Sequence, residues 1–283
     1  HDTLRQEGKG LGMELVSELS RRAELLRSLS PGSALAASSG FTWVGDIGAA
    51  VARRFSAAGA TVAIAGRDGA RAEALARSLG GPALGLAMDV GDVAQIRAGV
   101  ERVGAHFGHL DILVNCVGIQ REERIDEVSE AAFDDVLSTN LRGAMLLAQA
   151  AARLQVAAAA AGRPPGQQVH VLSVRAQLGM RDRGYSAYCA TKGALVMLIK
   201  QHAVELCRHG ITVNGVAPTV VRGEMGAHWL ADPAVRDKLL QRIPLGRVAE
   251  PSDVAGPVQF FCSPAAAFVT GQILYVDGGL TAT

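Results

Sequence analysis

Aromatic residues make up only 4% of this 283-residue chain, and neither charge sign prevails: 28 Lys and Arg face 27 Asp and Glu. Without a basic block there is no electrostatic footing for nucleic acid or for an anionic membrane surface. Cysteine is sparse as well. Cys116, Cys189, Cys207 and Cys262 form no CxxC pair, and the seven histidines supply neither HExxH nor a metal-ligand spacing with them. No metal is expected, and reduced thiols suit a cytoplasmic protein. No apolar run nears the roughly 20 residues that span a bilayer, and the first residues lack the basic-then-apolar pattern of a secretion signal.

What the chain has in quantity is small and aliphatic side chains: 49% of it is hydrophobic, and Ala, Val, Leu and Gly dominate. That composition suits helices packed closely on a sheet. Residues 11–29 place Val16, Leu19, Ala23 and Leu26 on one helical face, ended by Ser30-Pro31-Gly32, so residues 1–32 read as a helical N-terminal extension. From residue 33 to 283, short apolar runs alternate with helical patterns. Strands are expected at Ala34–Ala37, Thr61–Ala65, Ala83–Ala87, Leu110–Val114, Gln168–Leu172, Thr212–Val216 and Gln272–Val276. Helices are expected at Gly48–Ala58, Gly69–Ser78, Val93–Phe107, Ala131–Ala161, Ala187–His209 and Asp253–Cys262. The strands do not alternate strictly, so both their faces are buried. The expected fold is a single α/β domain with a doubly wound parallel sheet, which binds ligands beyond the carboxyl ends of its strands.

The strongest chemical signal is Tyr188-Cys189-Ala190-Thr191-Lys192. Positions i and i+4 share one helical face, so phenol and ammonium point the same way. A fixed cation beside the phenol favours phenolate and should lower its pKa towards the range of a general acid or base. Tyr185 has no such partner, because its i+4 residue is Cys189. Near the amino end, Ser39-Gly40-Phe41-Thr42-Trp43-Val44-Gly45-Asp46-Ile47-Gly48 runs into a helical pattern. Glycines there let backbone N–H groups approach a phosphate at the positive end of a helix.

With these motifs in that order, residues 33–283 resemble the short-chain dehydrogenase/reductase family, whose fold is Rossmann-like. The family turn reads Thr-Gly, three residues, Gly-Ile-Gly. Pairing it with Ser39-Gly40 and Ile47-Gly48 leaves two extra residues, whereas an ungapped alignment puts Thr42 in the first glycine place. Either way Asp46 replaces the middle glycine, so the resemblance implies cofactor contacts from Gly40, Gly45, Ile47 and Gly48 with one acidic intruder. It also implies contacts from Asp89 and Val90 after the third strand, and from Asn115 and Gly118 of Asn-Cys-Val-Gly after the fourth. Gly66-Arg67 at the end of the second strand favours the 2′-phosphate of NADP, while Asp68 leaves NAD possible.

By the same resemblance Ser173 orients the substrate oxygen, Tyr188 exchanges its proton, Lys192 holds the nicotinamide ribose and Asn140 positions a relay water. Gly223 stands where the family has a threonine, leaving Val221 backbone atoms to hold the nicotinamide amide. The loop Val174–Gly184 is about two residues longer than usual, with Arg181-Asp182-Arg183 expected in solvent. The substrate pocket should draw on Ile119–Glu123, Val174–Gly184 and Arg222–Leu245, with Arg121 or Arg222 available to a carboxylate. The resemblance is to gluconate 5-dehydrogenase-like and other sugar-acid or polyol enzymes. It implies reversible hydride transfer between a small-molecule secondary alcohol and its ketone, in a homotetramer built through Ala131–Ala161 and Ala187–His209. The alternatives are a 3-oxoacyl-[acyl-carrier-protein] reductase and, because of the altered turn, a cofactor-impaired member serving as a binding or assembly protein.

Overall fold

The computed structural model describes residues 39–283 apart from Asp182. The expected helix over 11–29 and the strand Ala34–Ala37 lie outside the described residues. Seven parallel strands form one sheet in the order β3-β2-β1-β4-β5-β6-β7. They are β1 (Ser39–Trp43), β2 (Thr61–Gly66), β3 (Ala83–Ala87), β4 (Ile112–Asn115), β5 (Gln167–Val171), β6 (Thr212–Pro218) and β7 (Ile273–Val276). Strand order reverses direction between β1 and β4, which opens a crevice at their carboxyl ends.

The position of β1 corrects the sequence reading. Ser39-Gly40-Phe41-Thr42-Trp43 is a strand rather than the head of a turn, paired from Ser39↔Thr61 to Trp43↔Ala65 and buried at every position. The ungapped alignment is therefore the right one, and the turn holds no insertion. Ser39 tolerates burial because Asp111 Oδ2 accepts its N–H at 2.8 Å and the His109 carbonyl accepts its hydroxyl at 3.0 Å. Gly40 makes room for the Phe55 ring, which an added Cβ would meet at 3.2 Å. Partners some 70 residues away make this strand; local propensity does not.

Helices α1 (Asp46–Ala57), α2 (Gly69–Ser78) and α3 (Val93–Phe107) follow the first three strands. Asp68 caps α2 by accepting from Arg71 N at 3.0 Å, and Asp92 caps α3 by accepting from Ala94 N at 2.8 Å. Next come α4 (Glu130–Leu137), one π-helical stretch (Ser138–Gly143) and α5 (Ala144–Ala160). Together Glu130–Ala160 are long and apolar enough to cross a membrane by length and composition, contrary to the reading that no run approached that limit. In the fold this stretch lies on the sheet, with Leu147, Ala148 and Ala151 packed beside Phe41, Met88 and Leu113.

After β5 comes α6 (Ser186–Leu206), then two short helices, α7 (Ala227–Ala231) and α8 (Pro233–Gln241), where only a pocket-lining segment was expected. The last helix is α9 (Pro251–Phe261). On the opposite face of the sheet, Val51 and Phe55 of α1 and Val254 and Val258 of α9 pack on Ile64, Ile112 and Val169. Each such side chain contributes about 1.5–3 kcal/mol by leaving water, so both faces resist bending of the strands that carry the site.

Candidate active site

A cleft of about 500 Å³ runs across the carboxyl ends of the strands. Trp43, Gly66, Met88, Cys116, Leu172 and Pro218 line it, each at or just beyond the end of a different strand.

At one end the chain turns from β1 into α1 through Val44 and Gly45, the latter in the N-cap position. Gly45, Asp46, Ile47 and Gly48 all line the cleft, whereas Gly40 is buried in β1 and does not. Placing Gly40 among the cofactor contacts is thus corrected, because the chain turns five residues later. Gly48 is obligatory: a Cβ there would lie 1.9 Å from the Trp43 carbonyl oxygen. Gly45 has open space around its missing side chain. Asp46 does not fold back over the helix end. Its Oδ2 accepts from Glu224 N at 2.8 Å, and a Cβ on Gly223 would sit 2.2 Å from that same oxygen. The two departures from the family pattern, Asp46 and Gly223, touch each other.

Along the rim, Arg67 is exposed and lines the cleft, while the Asp68 carboxylate is engaged in capping α2. Arg71, which the sequence reading passed over, lines the same edge and makes a two-pronged contact with Glu224 at 2.8 and 3.1 Å. Asp89 and Val90 line the cleft; the Asp89 carboxylate accepts from Gly91 N at 2.9 Å. Asn115 is buried away from the cleft and braces the loop after β4, accepting from Val117 N at 3.1 Å. Gly118 is in the cleft, where a Cβ would stand 3.3 Å from Lys192 Nζ. Val221 lines it too, held by a bridge to Ala249.

The other end brings together Ser173, Tyr188, Lys192 and Asn140. Ser173 follows β5 directly, and its Oγ accepts from Arg175 N at 3.2 Å. Tyr188 and Lys192 lie one turn apart on α6, with the ammonium 5.5 Å from the phenol ring centroid. Lys192 Nζ donates to the Val171 carbonyl at 3.0 Å. Asn140 occupies the π-helical stretch, a local widening that frees backbone groups from the ordinary helical ladder. Its side chain clamps the Ile119 backbone, accepting from N at 2.8 Å and donating to O at 2.9 Å, and it donates to Thr191 Oγ1 at 3.3 Å.

Electrostatics differ from expectation in one respect. The phenol was expected to titrate below its ordinary value. Instead burial pushes Tyr188 up to about 12, outweighing the hydrogen bond with Ser173 that pulls it down. Burial likewise pushes the Lys192 ammonium down to about 8. Burial thus favours the uncharged form of both groups.

Val174, Arg175, Met180, Tyr185, Trp229 and Gln120 line the cleft at this end. Gln120 Nε2 donates to Tyr185 Oη at 2.7 Å, and Tyr185 lies between the rings of Tyr188 and Trp229. Parts of all three expected segments contribute. The expected carboxylate binders do not stand free, however: Arg121 pairs with Asp135 at 2.7 Å outside the cleft, and Arg222 pairs with Glu250 at 2.8 Å. Arg181 is exposed as expected, but Arg183 is half-buried against Glu122 at 2.7 Å. Arg175, like Arg71, is a charged cleft residue that sequence reasoning missed. Its place two residues after Ser173 was the available signal.

Comparison with known proteins agrees with this geometry. A family profile described as enoyl-(acyl carrier protein) reductase matches residues 44–281. D-threitol dehydrogenase of Mycolicibacterium smegmatis is 37% identical over 83% of this chain and 88% of its own length. Gluconate 5-dehydrogenase of Gluconobacter oxydans is 36% identical over 83% and 90%. The crystal structure of a gluconate 5-dehydrogenase from Burkholderia cenocepacia J2315, in complex with NADP and tartrate, superposes with a TM-score of 0.81 at 34% identity, covering 87% of this chain and 96% of that one. With its doubly wound sheet, its Gly45–Gly48 turn and its Ser173, Tyr188 and Lys192 in one cleft, the chain belongs to the short-chain dehydrogenase/reductase family.

Proposed function

We propose that this protein is an NADP-dependent oxidoreductase that interconverts a secondary alcohol and a ketone on a polyol or sugar acid. The observation that carries the reading is the convergence of Asn140, Ser173, Tyr188 and Lys192 at the carboxyl ends of the strands, on the far side of the cleft from a helix N-terminus that Gly48 holds against β1. The relatives named for threitol and gluconate supply the substrate class.

The cleft fits a dinucleotide. Gly45 to Gly48 leave the start of α1 open to a pyrophosphate, Asp89 and Val90 line the adenosine side, Gly118 lies beside Lys192, and Val221 offers backbone atoms at the nicotinamide side. Arg67, exposed at the rim with Asp68 occupied elsewhere, favours the 2′-phosphate of NADP over NAD. When bound, the nicotinamide supplies the hydride acceptor or donor. The chain supplies position and protons. In ketone reduction Tyr188 gives its proton to the carbonyl oxygen while Ser173 donates a hydrogen bond to that oxygen. A phenol kept protonated by burial is suited to that direction. Lys192 and Asn140 fix the geometry behind it.

We also propose a homotetramer formed through the helices α4 to α6. Their outer faces carry the exposed Met145, Met197 and Val204, which water solvates poorly. Four free cysteines are in keeping with a cytoplasmic setting. The test is a nicotinamide absorbance screen with polyols, sugar acids, their ketones and a 3-oxoacyl thioester. Turnover of the thioester alone would replace this reading with the acyl-carrier-protein alternative. Binding of NADP with no turnover of any substrate would favour a binding protein. Light scattering reports the assembly.

A further inference from the structure

We infer that Arg175 is the anchor for a carboxylate of the substrate and sets a preference for sugar acids over neutral polyols. The inference rests on the reading above and sharpens it.

Arg175 lines the reaction end of the cleft and is only 8% exposed. Burial of an uncompensated cation is costly, by several kcal/mol per ion as a general rule, and carboxylate partners normally repay it. Here burial lowers the guanidinium pKa, as that cost requires. Among the described residues no carboxylate pairs with Arg175. Its guanidinium donates from Nη1, to the carbonyls of Leu178 and Gly179 at 3.3 and 2.5 Å.

Described acids around the cleft are engaged with other partners. Glu122 holds Arg183 and Tyr185, Glu224 holds Arg71, and Glu250 holds Arg222. Among the described residues the remaining arms of the guanidinium fork therefore have no anion, and a planar fork matches a carboxylate by two parallel hydrogen bonds. Position completes the case. Arg175 follows Ser173 by two residues and lines the same cleft as Ser173 and Tyr188. An anion held by Arg175 thus belongs to a molecule whose oxygen can lie at Ser173 and Tyr188. Trp229 lines the same cleft, and its Nε1–H is buried with no partner.

A carbonyl-bound arginine can also simply staple the Val174–Gly179 turn, so the experiment separates the two roles. Turnover is compared on a sugar acid and on the alditol of equal carbon number, in wild type and in Arg175→Gln. A charge-assisted pair of about 1.5–3 kcal/mol corresponds to roughly 10- to 150-fold. The expected result is a loss of kcat/KM on the acid, mostly in KM, at least about tenfold greater than the loss on the alditol. Equal losses on both overturn the proposal and leave a staple. Should Arg175→Gln fail to fold by circular dichroism, wild-type inhibition by a sugar acid and by its primary amide decides: tenfold tighter acid supports the anchor, equal inhibition overturns it. If wild type oxidises or reduces neither class, the functional reading fails. Calorimetry of the sugar acid with wild type and Arg175→Gln then still tests the anchor, which a missing difference would sink.

Discussion

At the proposed reaction centre the functional groups are side chains held by hydrogen bonds, whereas at the proposed phosphate-binding turn they are backbone atoms exposed by what is missing. Lys192 is tied to Val171 of β5, Asn140 to Ile119 of the loop after β4, and Ser173 to the turn that follows it. Such groups need particular residue types at particular spacings. The turn needs only that Gly48 have no Cβ and that the start of α1 stay open. It therefore admits Asp46 in a place where the family has glycine, provided the carboxylate finds a donor elsewhere. The reaction centre has no comparable freedom, and it shows no comparable departure.

That contrast breaks first at Tyr188. Tyr188→Phe removes one hydroxyl and no packing, and should lower kcat by roughly 10²–10⁴-fold while NADP affinity shifts by less than about threefold. Steady-state kinetics with a fluorescence titration measure both. A variant retaining more than about a tenth of the wild-type rate would remove Tyr188 from the chemistry.

Arg67 tests whether the cofactor side also relies on a particular side chain. Arg67→Ala should weaken NADP binding by about 10- to 150-fold, the value of one lost charge-assisted contact, and NAD binding far less. Equal losses would assign Arg67 to the solvated rim and put the preference elsewhere, with Arg71 the next residue to change.

The burial that holds Lys192 in place should carry a stability cost visible in pH. Its pKa falls from 10.5 in the unfolded chain to about 8 in the fold. Between those values the unfolded chain binds more protons, so stability rises with pH across that window, and the burden is fully present below about pH 8. Lys192→Met should therefore raise stability at pH 7 by about 1–3 kcal/mol, with part of the gain offset by the lost bond to Val171. The gain should vanish above pH 10.5. Thermal melts at pH 7 and 10.5 measure it; a variant melting below wild type at pH 7 would mean the lysine is a net support of the fold.

The same contrast explains what the sequence disclosed. Spacing alone placed Tyr188 and Lys192 on one face of a helix, and α2 and α3 begin and end where their caps and apolar periods put them. The first strand escaped because Ser39 and Gly40 are turn-forming residues by habit. Asp111 and His109, distant in sequence, satisfy the burial of Ser39, and the Phe55 ring covers Gly40. Arg175 escaped for a similar reason. An arginine in a loop reads as a surface charge until the cavity beside it is known, and Arg121 and Arg222, which looked equally available, turned out to have carboxylate partners.

Asp46 offers the finest test, with the smallest effect. At the first position of α1 its charge favours the helix dipole by about 0.3–1 kcal/mol and its Oδ2 accepts from Glu224 N. The same charge stands at the helix end where a pyrophosphate would lie, and two like charges near a surface repel by an amount of order 1 kcal/mol. Asp46→Gly should thus tighten NADP binding by about fivefold at low salt. The gain should shrink towards 1 M salt, as the screening length contracts from about 30 Å to about 3 Å. A second substitution checks that the carboxylate acts together with the loop it touches. Gly223→Ala brings a methyl group to within 2.2 Å of Asp46 Oδ2 and should cost clearly more in wild type than in Asp46→Gly. Weaker binding by Asp46→Gly would show that the Glu224 contact outweighs the repulsion. Additive costs for the pair would show that Asp46 and Gly223 changed independently, so that the turn tolerates acid without help from the loop.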